Sequence, residues 1–133
     1  MGIDSFAEQK AVMQAIEHQH VIVNGWSAIG YNFVVFQPFK RRVWHRARVF
    51  EGRGLGRIPA AQMGHNSGNI AACVVGNFQG EGVRQGTVNR LVSLIKRLPG
   101  RAIKGHRDVN QTSCPGDHLY HKLPEIRRKA GKL

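Results

Sequence analysis

Apolar residues recur along the chain with two different periods, and the changes of period mark out its elements. Phe6, Val12, Met13, Ile16 and His20 fall on one stripe at helical spacing, and Ser5-Phe6-Ala7-Glu8 has the spacing of a capping box. A helix is therefore predicted from Ser5 to His20. Asn24-Gly25 makes a turn, after which Ile29–Phe36 reads as a strand with Tyr31, Phe33 and Val35 on one side. A second strand is predicted at Arg48–Glu51, where Gly52, Gly54 and Gly56 then break the chain into a loop. The stretch Ile58–Gly68 has few apolar side chains and ends in Gly64-His65-Asn66-Ser67-Gly68, a polar, turn-rich loop of the kind that lines a ligand cleft.

The second half alternates strand and helix. Asn69–Asn77 is a nearly continuous apolar run rich in β-branched residues, the pattern of a strand buried on both faces. Thr87–Leu98 sets Val88, Leu91, Val92, Leu94, Ile95 and Leu98 among polar residues, an amphipathic helix closed by Pro99-Gly100. Ala102–Lys104 reads as a short strand, and Asp117 is placed to cap a helix from His118 to Lys129, interrupted near Pro124. Strands alternating with packed helices predict an α/β fold: one mixed central β-sheet flanked by helices, in a single domain over residues 1–133.

Composition adds constraints on partners. No apolar run approaches the ~20 residues needed to cross a bilayer, so no membrane span is expected. The opening MGIDSFAEQKAV lacks a basic segment followed by an apolar one, so no signal peptide is expected either. Twenty Lys and Arg against eight Asp and Glu give a net charge of +12, a field that attracts polyanions. Nucleic acid and a bacterial wall carrying anionic polymers both answer to it, and charge alone does not choose. The cations cluster in an extended basic hairpin over residues 37–48, with Lys40, Arg41, Arg42 and Arg46 around Trp44 and His45, and at the basic end of the chain, where residues 129–133 read as a frayed tail.

The chemistry concentrates in Gly105-His106-Arg107-Asp108-Val109-Asn110-Gln111-Thr112-Ser113-Cys114-Pro115-Gly116-Asp117. An imidazole and a thiol stand eight positions apart among turn formers, and Pro-Gly fixes where the chain goes next. Both groups bind Zn²⁺ well, and a catalytic zinc takes three protein ligands and a water; this loop supplies two of the three. Taken alone, the pair reads equally as a buried cysteine beside a surface histidine. Cys73 lies in the apolar run Ile70–Val75 and reads as a core thiol, so no disulfide is expected. His18 and His20 diverge by about 200° on a helix and cannot share a metal, so His20 reads as a packing residue.

Four motifs, GWSAIGYNF, FEGRG, GHNSGNIAACVVGNF and GHRDVNQTSCPGDHLY, resemble in order the zinc-dependent N-acetylmuramoyl-L-alanine amidases of type 2, a family shared by phage lysins and peptidoglycan recognition proteins. The resemblance runs from about Ala11 to Tyr120. It implies a central sheet with helices on both faces and hydrolysis of the bond between muramic acid and L-alanine. Zinc would be held by His106 and Cys114, with its bound water brought to a pKa of about 7. Tyr31 matches the residue that positions that water or stabilises the oxyanion, and Thr112 stands where relatives place Thr or Lys beside the reacting carbonyl. Arg53, His65, Asn66 and Arg107 match positions facing glycan or stem peptide, and Asp108 orients an imidazole or caps the loop.

The chain also departs from the family pattern. Its hairpin over residues 37–48 is longer, and Ala61 stands where relatives carry a histidine. The third zinc ligand, a histidine on a strand ahead of the first helix, is not found, and His45 is the first candidate for a substitute. The leading expectation is a phage- or prophage-lysin-like zinc amidase acting at the cell wall on peptidoglycan, with anionic wall polymers contacted through the basic hairpin. The alternative is a non-catalytic peptidoglycan-binding module of the same fold, and a nucleic-acid binder ranks last.

Overall fold

The computed structural model describes residues 5–37, 47–61, 63–64 and 66–133. The chain opens with α1, Phe6–Glu17. Ser5 caps it as the sequence predicts, its hydroxyl accepting from the Glu8 amide at 3.1 Å and donating to the Glu8 carboxylate at 2.7 Å. The winding then widens to a π-helical turn over His18–Val23, so the helical segment runs three residues past His20. It ends where the Trp26 amide bonds back to the His20 carbonyl at 2.9 Å.

Three strands form one mixed sheet in the order β2-β1-β3: β1 is Phe33–Phe36, β2 Arg48–Glu51 and β3 Ala72–Val75. β2 pairs antiparallel with β1 (Val34 opposite Phe50), and β3 pairs parallel with it (Val34 opposite Cys73). The hairpin residues 38–46, including His45 and the four cations singled out above, lie outside the described residues.

The sheet is covered on both faces. On one, Val35 joins Phe78, Val88, Leu91, Leu119, Leu123 and Ile126, with Val49 and Val74 packed against them. These come largely from α2, Gln85–Arg97, and α4, Leu123–Ala130, which also pack on each other. On the other face, Met13 of α1 meets Ile29, Val34 and Phe36, flanked by Tyr31, Phe50, Cys73 and Val75.

Several sequence-based expectations need correction. Tyr31 does not share a side with Val35. The amides of Asn32 and Phe33 both donate to the Ala71 carbonyl, at 2.9 and 3.2 Å, so one extra residue is absorbed there and the alternation slips by one. β3 has side chains packed on both faces but is not fully buried: Ala72 is exposed and Cys73 to Val75 are half-buried, because among the described residues nothing pairs with its outer edge. Segment 102–104 is extended without joining the sheet; Ile103 instead donates to the Leu133 carbonyl and Leu133 to the Arg101 carbonyl, each at 2.7 Å.

The final helix is two pieces, α3 at Asp117–Tyr120 and α4, with Pro124 in the first turn of α4 where its missing N–H costs nothing. Nor is the basic end frayed. Gly131 takes the left-handed cap at φ 69°, and Lys132 Nζ donates to the carbonyls of Leu98 and Gly100 at 3.0 and 2.6 Å. Among the described residues no helix is long and apolar enough to cross a membrane.

Candidate functional site

The loop from Gly105 to Asp117 is closed on itself. The Arg107 amide donates to the Cys114 carbonyl at 3.0 Å, and the Gly105 amide donates to the Asp108 carboxylate at 2.8 Å, fixing a 3₁₀ turn at His106–Asp108. Gly116 then lets the chain graze the strand-end loop: at φ 90°, a Cβ there would come within 2.5 Å of the Phe78 backbone. The next amide but one, that of His118, bonds the Phe78 carbonyl at 2.9 Å. Asp117 does not cap a helix with its side chain, since Gly116 holds the cap position. Its carboxylate receives Arg107 Nη1 at 2.9 Å and Gln79 Nε2 at 2.8 Å instead.

One residue that sequence reasoning missed sets the state of His106. Asn110 Nδ2 donates to the Met63 carbonyl at 3.0 Å, which fixes which way the amide faces. Its Oδ1 therefore points at His106 Nε2, 3.1 Å away, and that nitrogen must carry the hydrogen. The lone pair is left on Nδ1, the arrangement of an imidazole able to bind a metal while its other nitrogen is held. The same amide ties the 105–117 loop to the loop around residue 63.

Cys114 is exposed, and its thiol is pushed up by partial burial against the opposing pull of Arg107. It lies within electrostatic reach of both Tyr31 and Cys73. The Tyr31 phenol is hydrogen-bonded to the Cys73 thiol and is raised first by burial, then by the two sulfurs. Burial lifts Cys73 to about 11, which keeps it a neutral thiol at ordinary pH. Cys73 is thus a neighbour of the site as well as a packing residue. The period-two pattern of β3 carries that signal, since Cys73 and Val75 share the face on which Tyr31 lies.

His20 packs behind Tyr31, with ring centroids 5.5 Å apart, and against Trp26 at 4.8 Å. Its Nδ1 accepts from the Gly30 amide at 2.8 Å, a bond only the unprotonated nitrogen can make. Burial first, and the charge of Arg53 second, hold its pKa below the ordinary 6.5. Between those two values the unfolded chain binds more protons than the folded one, so stability present above pH ~6.5 is lost as pH falls through the window. In His20→Gln, whose amide oxygen still accepts from Gly30, this part of the acid sensitivity is expected to vanish. Denaturant midpoints measured from about pH 8 to about pH 5 check it, and an unchanged profile would assign the sensitivity to other groups.

The remaining residues singled out from sequence divide. Thr112 is exposed, and its hydroxyl oxygen accepts from the Cys114 amide at 3.2 Å, leaving the hydroxyl hydrogen to donate outward. Asn66 Oδ1 accepts from the Ala61 amide at 2.9 Å and shapes its own loop. Arg53 is turned inward, with Nε on the Ile29 carbonyl and Nη1 on the Ile58 carbonyl, both at 2.7 Å. Arg107 is bound to Asp117 and to the Ser113 carbonyl, and lies 4.6 Å above the Tyr120 ring. Both guanidinium groups brace the loops around them. His65 lies outside the described residues.

Whether this set fits a catalytic zinc can be judged from the donors. His106 Nδ1 and Cys114 Sγ are two suitable ligands on one closed loop. Among the described residues, however, no three His, Cys, Asp or Glu side chains converge to hold a metal ion. The described residues do not fit a complete three-ligand centre.

Comparison with known proteins follows from this geometry. The family model described as N-acetylmuramoyl-L-alanine amidase matches residues 4–117. A human N-acetylmuramoyl-L-alanine amidase is 32% identical over 126 residues, covering 89% of this chain and 20% of the human protein, so the chain spans about a fifth of that relative. Among solved structures, the ectodomain complex of peptidoglycan recognition proteins LCa and LCx with bound tracheal cytotoxin superposes with a TM-score of 0.78 at 26% identity, covering 92% of this chain and 73% of the other. The amidase LysC from Clostridium intestinale URNW superposes at 0.74 and 26%, covering 91% and 76%.

Proposed function

Because the chain belongs to the N-acetylmuramoyl-L-alanine amidase family, we propose that it binds the muramyl-peptide portion of peptidoglycan in the cleft beside the 105–117 loop. The observation that carries this reading is the exposed Thr112 hydroxyl, held by the Cys114 amide on a closed loop whose thiol lies within electrostatic reach of the Tyr31 phenol. A neutral phenol and a neutral hydroxyl suit the amide and lactyl oxygens where sugar joins peptide. The structural relative with bound tracheal cytotoxin supports the choice of ligand class.

Hydrolysis of the bond between muramic acid and L-alanine is the second reading. It is favoured by one specific arrangement: His106 with its Nδ1 lone pair free and Cys114 on the same closed loop. Were zinc held there, it would polarise the amide carbonyl and activate a water. The chain's own residues fix the His106 tautomer through Asn110, offer the Thr112 hydroxyl to an oxygen of the ligand, and place the Tyr31 phenol beside Cys114.

Calorimetric titration with a soluble muramyl peptide tests the first reading. Tyr31→Phe and Thr112→Val are each expected to weaken binding about 5- to 10-fold, the size of one neutral hydrogen bond lost. No binding by the parent, or equal binding by both variants, would remove it.

A further inference from the structure

Among the described residues, a group of cations without ion-pair partners lies where the C-terminal ends of α2 and α4 meet. Segment 101–104 runs between them, tied to the end of the chain by the Leu133 and Ile103 amides and to α4 by Arg127 Nε, which donates to the Ile103 carbonyl at 2.9 Å. Lys132 clamps the preceding turn. These bonds gather the basic ends of the two helices, Lys96 and Arg97 on α2 and Arg127 and Arg128 on α4, around Arg101 and Lys104 in one region of the surface. Part of it is an open cavity of about 500 Å³ with Lys104, Arg127 and Leu133 among its lining.

Cations at helix C-termini ordinarily answer the helix dipole and its free carbonyls. That accounts for Lys132, and Lys129 is paired with Glu125 at 3.1 Å. It does not account for the others. Lys96, Arg97, Arg101 and Arg128 are exposed and in no ion pair among the described residues. Asp108, a carboxylate that Lys104 and Arg127 act on, is already bonded to the Tyr120 hydroxyl and the Gly105 amide. Like charges crowded this way repel, and a polyanion laid across them relieves the repulsion and releases counterions.

What kind of polyanion follows from what the face lacks. Neither residues 96–104 nor α4 carries an aromatic ring, so there is no platform on which bases could stack. The face begins at Lys104, two residues before His106, so a chain anchored on it leads toward the cleft. We infer that this surface binds a linear phosphodiester polymer of the bacterial wall, of the teichoic-acid class, while the cleft takes muramyl peptide. The choice of a wall polymer rests on the peptidoglycan reading; the basic face itself does not.

The test uses the whole chain and its variant Arg97→Gln, Arg101→Gln, Arg128→Gln, with three probes: purified poly(glycerol phosphate), a single-stranded oligonucleotide of equal charge, and soluble muramyl peptide. The parent is expected to bind the polymer with an affinity that falls as salt rises. The variant, with its melting temperature unchanged, should bind the polymer about 10-fold or more weakly at low salt, with a salt slope shallower by about two. Its affinity for muramyl peptide should equal the parent's. Equal polymer affinity in parent and variant would overturn the inference, and so would tighter binding of the oligonucleotide than of the polymer. If muramyl peptide binds neither protein while the polymer result holds, the cleft reading fails and the basic face stands.

Discussion

Asn32→Ala is expected to destabilise the protein by about 3–5 kcal/mol, because a fully buried amide is the hub of three loops and each of its partners would be left unpaired. Asn32 Nδ2 donates to the carbonyls of Gly54 and Arg57, both at 2.8 Å, and its Oδ1 accepts from the Ala71 amide at 2.7 Å. One side chain thus fastens the glycine-rich loop after β2 and the entry to β3 onto the end of β1. Chemical denaturation measures the loss directly, and the melting temperature should fall by roughly 10–15 °C. Asn32→Asp makes the test sharper. The carboxylate still accepts from Ala71, but it faces two carbonyls it cannot serve, so this variant should gain stability as pH falls and a proton restores one donor. A loss under about 1 kcal/mol for Asn32→Ala would show that water replaces the amide.

Much of this architecture is legible in the sequence where the cause is local. The Ser5 cap, the limits of β2 and the apolar stripe of α2 depend on neighbours within a turn or two, and each is found where the pattern places it or within two residues. The membership of residues 4–117 in the amidase family is likewise carried by motifs that lie contiguous in the chain. What escaped was set by contacts between distant segments. Tyr31 changes face because two amides share the Ala71 carbonyl, an event that alternation along Ile29–Phe36 cannot reveal. The end of the chain reads as a frayed cluster of cations, yet it is pinned by carbonyls of residues 98 and 100 that sequence brings nowhere near it.

The candidate site shows the same division. His106 and Cys114 are paired by the motif they share with the resembled family, their spacing alone leaving the plainer reading open. Asn110 cannot be read this way, because its role comes from Met63, a partner 47 residues away. Cys73 was read as core from the apolar run around it, and packing does claim it. Only the parallel register of β3 on β1 carries its thiol to the Tyr31 phenol. Arg53 and Arg107 are expected as ligand contacts only because they match positions of the resembled family. Here the loops fold around them and use their donors.

The largest functional effect is expected at Cys114. A hydroxyl is a far poorer zinc ligand than a thiolate, so under the proposed hydrolytic reading, with zinc held by His106 and Cys114, Cys114→Ser should abolish zinc uptake and lower amidase activity by about 100-fold or more, while far-ultraviolet circular dichroism stays that of the parent. Asn110→Ala separates a ligand from the residue that holds it. With the bond to Nε2 gone, zinc affinity should drop about 10- to 100-fold without being lost. Nitrogen-15 resonances of His106 in the metal-free protein should then move from the Nε2–H tautomer toward a mixture. That spectroscopic change needs neither metal nor substrate, and a merely structural Asn110 would not produce it. Should Cys114→Ser hold as much zinc as the parent, the metal lies elsewhere and the 105–117 loop serves recognition alone. Should His106 keep one tautomer in Asn110→Ala, the bond seen between the two side chains does not set the state of the imidazole.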